Sequence, residues 1–415
     1  MLPPIEDIRV ADRTQWRDGP PHELFQRLRR ECPVHWSPTI EGYPDEAGFW
    51  SVALPDDIHA VSRDWQTYSS ERGGITVIDG SAMKQNLMQA MFIGMDPPKH
   101  DRLKALFQSG FTPKRIAQHG DAVRAITRGV LDRLEGRSDC DVVGDIAQPV
   151  VARVIGSFMG LPPEDDPIWA RLMNAIMAAG DPDLHPHGVE QVMQREVPEV
   201  FERCRRLIAE RRERPTDDLT SVVVHAVVDG QSLEENEIVM GFFLLMSAGM
   251  DSTKGTFSSG MLALLEHPEQ HRQVLDDPTL IPGLVEESLR MFPAFSHFRR
   301  TATRDAELNG ARIRKGDKVA MWYVSSNRDE TRYAEPDTFS VTRNPEHQAF
   351  GAGGRHYCLG AALARLELRI LFEETLARFP DMRLAGPAVH VKSPFVHQLR
   401  TLPVRLADPG ESATD

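Results

Sequence analysis

A glycine-rich run ending on one cysteine constrains this chain more than any other feature: Phe350-Gly351-Ala352-Gly353-Gly354-Arg355-His356-Tyr357-Cys358-Leu359-Gly360. The segment after it, Ala361 to Arg378, has the pattern of a long amphipathic helix. Glycines let the backbone approach something flat and large, and they supply positive φ where a side chain would clash. Cys358 precedes the predicted helix, where unpaired N–H groups and the helix dipole favour an anion. That setting suits a thiolate better than a thiol. The plain alternative is a buried free cysteine at an ordinary loop–helix junction. The flanking residues favour the ligand reading.

At 415 residues the chain is long enough for two or three domains, or for one large catalytic domain. With 41% hydrophobic residues it can bury a large core. No uninterrupted apolar run reaches the ~18–20 residues that a membrane helix needs. The first residues, Met1-Leu2-Pro3-Pro4-Ile5-Glu6-Asp7, lack a basic region followed by an apolar stretch, so neither a signal peptide nor a membrane anchor is expected. Cys32, Cys140, Cys204 and Cys358 have neither metal nor disulfide spacing, which points to a reducing compartment and a cytoplasmic protein. A net charge of −13 argues against nucleic acid as a partner, since phosphate binding needs a basic surface. Arg203 to Arg214 is interleaved with glutamates and reads as a solvated helix face, and His185 and His187 lack a third ligand.

Along the chain there is no repeat, low-complexity tract or linker, and residues 1–415 are expected to form one domain. Short strand-like runs such as Phe49-Trp50-Ser51-Val52 lie between helical patterns near the N-terminus. From about Lys99 to Glu266 the pattern is helical, broken at Pro162-Pro163 and at Asp181 to Pro186. Asn309-Gly310 predicts a tight turn between short strands, and Lys318 to Tyr323 a further strand. The fold class is therefore mainly α with small β-sheets.

One helix stands out. Ser232-Leu233-Glu234-Glu235 has the capping-box pattern, and the helix should run to about His267, where Pro268 stops it. At 1.5 Å per residue such a helix is close to ~50 Å long and crosses the molecule. Within it Ala248, Asp251, Ser252 and Gly255 fall on one face that is too small and polar to make good core. A serine can bond the carbonyl four residues back, here that of Ala248, and loosen the helix beside a ligand. The competing interpretation is a helix crossing point, where small residues merely allow close packing.

These motifs resemble those of the cytochrome P450 superfamily. The cysteine segment is similar to its Phe-x-x-Gly-x-His/Arg-x-Cys-x-Gly loop, with Phe350 eight residues before Cys358 where seven is usual. A loop lengthened in this way is familiar in bacterial members acting on steroid side chains and branched lipids. Ala248-Gly249-Met250-Asp251-Ser252-Thr253 resembles the oxygen-binding motif, with Ser252 in place of the first threonine. The resemblance implies a triangular helical body around a buried heme b (iron protoporphyrin IX) with Cys358 as the iron ligand. Ala248 would lie over the haem, Asp251 would relay protons, and the Ser252 hydroxyl would hold dioxygen and its water. His100 and Lys104 resemble the family's Asp-Pro-Pro-x-His-x-x-x-Arg helix start; with Arg300 and His356 they would hold the haem propionates, and Phe350 would border the haem. Glu287 and Arg290, joined by Arg343, match a buried scaffold group.

The implied activity is a monooxygenase acting on an apolar small molecule: a terpenoid, steroid or branched lipid. Val77, Ile78, Met83, Leu87, Met88, Met91, Phe92 and Ile93 form a methionine-rich apolar set suited to such a pocket, although each alone also suits plain core packing. Its lining is expected from 73–95, 168–200, 294–298 and 393–397. The chain shows neither a dinucleotide glycine fingerprint nor a four-cysteine cluster. Electrons are therefore expected from an iron–sulfur ferredoxin and an NAD(P)H-dependent ferredoxin reductase, with the enzyme a monomer. A peroxide-using peroxygenase usually lacks the acid–alcohol pair retained here, a haem-binding sensor needs no proton relay, and a haem-free cysteine enzyme would be colourless.

Overall fold

The computed structural model describes residues 3–79, 82–108, 110–179, 181, 183–228 and 231–406. Helices dominate, and small sheets flank them. The largest sheet has five strands in the order Val34–Ser37, Phe49–Val52, Lys318–Trp322, His297–Ala302 and Tyr68–Ser69. Phe49–Val52 pairs parallel with Lys318–Trp322, and the other pairs are antiparallel. Every residue of Lys318–Trp322 is buried, as a central strand covered on both faces requires. The Asn309-Gly310 turn connects Ala306–Leu308 to Ala311–Ile313, with both turn residues at positive φ, +47° and +77°.

The central helix runs from Glu235 to Glu266, 32 residues and about 48 Å. It is buried on nearly all sides, so it carries an apolar surface all round rather than one stripe. Helices packed on it include Gln148–Met159, Asp166–Met177, Gly188–Glu213, Ile281–Met291 and Ala361–Arg378. Its N-cap is Glu234, whose side chain accepts from the backbone while Glu237 reaches back to the Glu234 N–H. The expected Ser232 cap does not form, because Gln231–Ser232 pairs with Val227–Val228 as a hairpin strand. Among the described residues one helical stretch, Val142–Met159, has the length and composition of a membrane span. Two thirds of it is buried among the other helices, which makes it a core element.

The arginine-rich helix face departs from expectation at one residue. Arg205, Arg206 and Arg212 are solvated, but Arg211 is buried, donating to Asp218 at 2.5 Å and to the Gly160 carbonyl at 2.7 Å. Glu287 and Arg290 form a fully buried pair with two 2.7 Å hydrogen bonds, and Arg343 Nε joins at 3.1 Å. Beside them Glu286 accepts from Arg365 at 2.7 Å and pairs with His347 at 3.1 Å. Burial opposes the charge on Glu286, but the hydrogen bonds from His347 and Arg365 outweigh it and hold its pKa at about 2. Arg365 also covers the Phe350 ring at 4.6 Å, so this second cluster ties the Ile281–Met291 helix to the cysteine loop.

Candidate active site

The cysteine loop closes on itself despite its extra residue. The Cys358 N–H donates to the Phe350 carbonyl at 2.9 Å, and Gly351, Gly353 and Gly354 all have positive φ. Gly354 is doubly constrained, because a Cβ there would lie 2.7 Å from the Ser62 carbonyl oxygen. Lys104 holds the loop from outside, donating to the Tyr357 carbonyl at 2.7 Å and to that of Arg355. Arg355 in turn pairs with Asp101. The Cys358 sulfur sits deep in the fold and opens onto an internal cavity.

The expected thiolate-favouring field is only partly present. Burial raises the Cys358 pKa, and this outweighs the Gly360 N–H donated to its sulfur and the nearby charges of Lys104 and Arg365. The residues alone leave a thiol, and a bound metal cation would be needed to complete its ionisation.

Counted with the solvent it opens to, the cavity spans about 1440 Å³. Phe350, His100, Lys104, Arg300 and His356 line it beside Cys358. The His100 and His356 rings lie 4.1 Å apart, and His356 shares a 3.1 Å hydrogen bond with the Ser70 hydroxyl. Burial, then the charge of Arg300, pushes His356 well below the usual histidine range, and burial lowers His100. Arg300 is buried with its guanidinium bonded to the Arg299 carbonyl at 2.8 Å, and it has no carboxylate salt-bridge partner among the described residues. Tyr323 lies against it, a lining residue that sequence patterns did not single out.

The opposite wall is the central helix. Ala248, Gly249, Ser252, Thr253 and Thr256 face the cavity, and the Ser252 hydroxyl donates to the Ala248 carbonyl at 2.7 Å, as the spacing predicts. Packing explains the other small residues: a Cβ on Gly249 would lie 3.1 Å from Ile155, and one on Gly255 3.0 Å from Gln398. Both interpretations of the small-residue face thus hold, for different residues. Asp251 does not line the cavity; it is buried and paired with Lys254. Glu367, nine residues after Cys358, does line it. Burial raises the Glu367 pKa to about 8 against a hydrogen bond from Thr253, so it is largely a neutral acid at pH 7.

A cytochrome P450 family model matches residues 271–382. The chain is also 36% identical over 414 residues to the methyl-branched lipid omega-hydroxylase of Mycobacterium tuberculosis, covering 97% of this chain and 95% of that protein. The chain belongs to the cytochrome P450 family. It is similar as well to the steroid C26-monooxygenase of Mycolicibacterium smegmatis, 32% identical with 96% of each chain covered. Among solved structures, a Mycobacterium marinum cytochrome P450 in complex with pseudoionone overlays with a TM-score of 0.90 at 35% identity, covering 97% of this chain and 99% of that one. The protein is therefore a bacterial P450 monooxygenase, an oxidoreductase of a family that carries haem iron.

The residues present fit that group. A soft sulfur donor faces the cavity, and a buried guanidinium with no carboxylate salt-bridge partner among the described residues stands at its edge. A second chamber adjoins the first and shares Ile93, Leu244, Ala248, Phe295 and Phe298 with it. The stretches 73–95, 168–200, 294–298 and 393–397 all contribute, including Val77, Met88, Met177, Met193 and Phe395. The side chain of Met83 lies outside the described residues.

Proposed function

We propose that this P450 inserts one oxygen atom from dioxygen into a C–H bond of a sizeable apolar molecule, with heme b held by Cys358 through its thiolate. The observation that carries this reading is the cavity itself, with the Cys358 sulfur on one wall and Ala248 and Ser252 on the other. When bound, the haem supplies the oxygen-activating chemistry, and the thiolate raises the electron density that favours O–O cleavage. The chain supplies the rest. His100, Arg300 and His356 would meet the propionates, Lys104 clamps the loop, and Phe350 would border the haem.

Ser252 holds a proton at its hydroxyl on the cavity side, one residue from the buried carboxylate of Asp251, which would bring protons in. The mainly apolar lining of the second chamber suits a terpenoid, steroid or branched lipid, and its methionines adapt to irregular hydrocarbon. The relatives named for a methyl-branched lipid and a steroid support that class. Electrons would come from a separate ferredoxin and its NAD(P)H-dependent reductase, in a soluble, cytoplasmic, single-domain enzyme acting as a monomer.

The test is spectroscopic. The reduced carbon monoxide complex should show the red-shifted Soret band of thiolate ligation, and Cys358→Ala should lose it. A Cys358→Ala protein that kept the thiolate spectrum would overturn the assignment.

A further inference from the structure

Lys254 is a lysine where lysines are rarely found. It lies on the central helix, 5% exposed, one turn after Asp251, which is 3% exposed. Burying an ammonium is costly unless its donors are satisfied and its charge is met. An ammonium has three donors, and here three acceptors surround it from three helical segments. They are Asp251 Oδ1, Gln148 Oε1 at 3.1 Å and Asn174 Oδ1 at 2.6 Å. The second carboxylate oxygen of Asp251 is buried with no hydrogen-bond partner among the described residues.

Asp251 is thus held on the side of the helix away from the cavity, although its neighbour Ser252 lines it. To pass a proton toward Ser252, the carboxylate must turn out of its contact with Lys254. Gln148 and Asn174 keep the ammonium from following. Asn174 lies on the Asp166–Met177 helix, and the next turn of that helix carries Ile176 and Met177 into the second chamber. The wall of that chamber is therefore continuous with the helix end that anchors Lys254.

We propose that Lys254 is a positioning residue that keeps Asp251 out of the cavity while the second chamber is empty, and that a ligand there loosens this hold through Asn174. The inference rests on the reading of Asp251 as the proton donor. Its use is to prevent waste. Without a substrate, dioxygen that takes two electrons from the ferredoxin partner and two protons leaves as hydrogen peroxide. A locked Asp251 slows that loss.

Two measurements test it on the haem-loaded protein. The first is peroxide formed per minute with NADPH and surrogate ferredoxin partners, in the absence of substrate. Lys254→Met should raise this rate roughly 5–20-fold, in the lower range of couplings between sites. Lys254→Arg should stay within about twofold of the parent, and Asp251→Asn/Lys254→Met should fall back to the Asp251→Asn rate. The second readout is independent of turnover. With eight lysines in the chain, the 15N signal of the Lys254 ammonium can be assigned by its loss in Lys254→Arg. It should move when a hydrocarbon ligand that gives a high-spin Soret shift is added. In Asn174→Leu, which leaves Lys254 and Asp251 in place, that movement should be absent.

An unchanged peroxide rate in Lys254→Met, a gain that survives in the double variant, or a Lys254 signal indifferent to ligand would overturn the proposal. If Lys254→Met does not fold, the Asn174→Leu signal decides alone. Normal product yield in Asp251→Asn would instead refute the underlying proton role.

Discussion

Replacing Glu287 with glutamine should destabilise the fold more than almost any other single-atom change. Glu287 and Arg290 are both fully buried, and the carboxylate accepts two hydrogen bonds from Arg290 at 2.7 Å, one from Arg343 at 3.1 Å and one from the Ser340 N–H at 3.1 Å. Glutamine keeps the volume, but its amide N–H₂ then faces guanidinium donors and its charge is gone. Arg290 stays buried and uncompensated, with only the Asn327 and Pro336 carbonyls, at 2.9 and 2.8 Å, and the face of Tyr333 around it. Breaking one side of a buried pair costs about 3–5 kcal/mol. With an unfolding entropy of about 2.1 cal/mol/K per residue, a 415-residue chain carries roughly 0.9 kcal/mol/K, so Tm should fall by about 3–6 °C. Arg343→Ala should cost less, about 1–2 kcal/mol, because that guanidinium is partly solvated and Glu287 keeps its bonds from Arg290 and the Ser340 N–H. Calorimetry of the haem-loaded proteins, with haem content measured in parallel, reads both. A Tm within 1 °C of the parent for Glu287→Gln, or a larger loss for Arg343→Ala, would refute the argument.

Two further outcomes follow from the cavity walls. Burial raises the Glu367 pKa to about 8 in the folded protein, so its contribution to stability is complete below the ordinary glutamate range and is lost as pH rises toward 8. Glu367→Gln should flatten the decline of Tm between pH 5 and pH 8; an unaltered slope would show that Glu367 is not the titrating group. Asp251→Asn should slow product formation by up to ~10²-fold with haem content intact. Ser252→Ala should instead divert NADPH into hydrogen peroxide. Normal product per NADPH in both variants would remove Asp251 and Ser252 from proton delivery.

What the sequence made legible was local. The Asn309-Gly310 hairpin, the ends of the central helix near Glu235 and Pro268, and the Ser252-to-Ala248 hydrogen bond each depend on residues within four positions of one another. The spacing of Glu287 and Arg290 fits an ion pair, but that pair's burial and its link to Arg343 were legible only through resemblance. The failures are tertiary. Ser232 satisfies the capping-box spacing, but a hairpin occupies it first. Arg211 looks like its solvated neighbours until Asp218 and Gly160 close over it. Helical periodicity puts Asp251 on the face of Ala248 and Ser252, yet that face is about a third of the circumference wide and Asp251 stands at its edge. Which side an edge residue joins depends on its neighbours, and Lys254, Gln148 and Asn174 draw it away from the cavity. Glu367 carries no signal at all in a helix whose other glutamates, Glu373 and Glu374, pair with Arg124.

The polar groups at the cavity show why such a site must be assembled with its cofactor. Two of them are left unbalanced by the chain. The Cys358 thiol has its pKa raised by burial, and the Arg300 guanidinium is buried with no carboxylate salt-bridge partner among the described residues. The buried guanidinium is costly without a salt-bridge partner, and the thiol lacks the positive charge that its ionisation needs. On the proposed reading, both would be met together: Cys358 would ligate the iron as a thiolate, its proton released to solvent, and Arg300 would pair with a propionate. Binding that occurs only in the folded state adds directly to its stability. The cysteine loop, with its positive-φ glycines and its clamps from Lys104 and Arg365, is therefore the part of the fold whose order should depend most on haem. The Glu287–Arg290–Arg343 group, complete within the protein, should depend on it least.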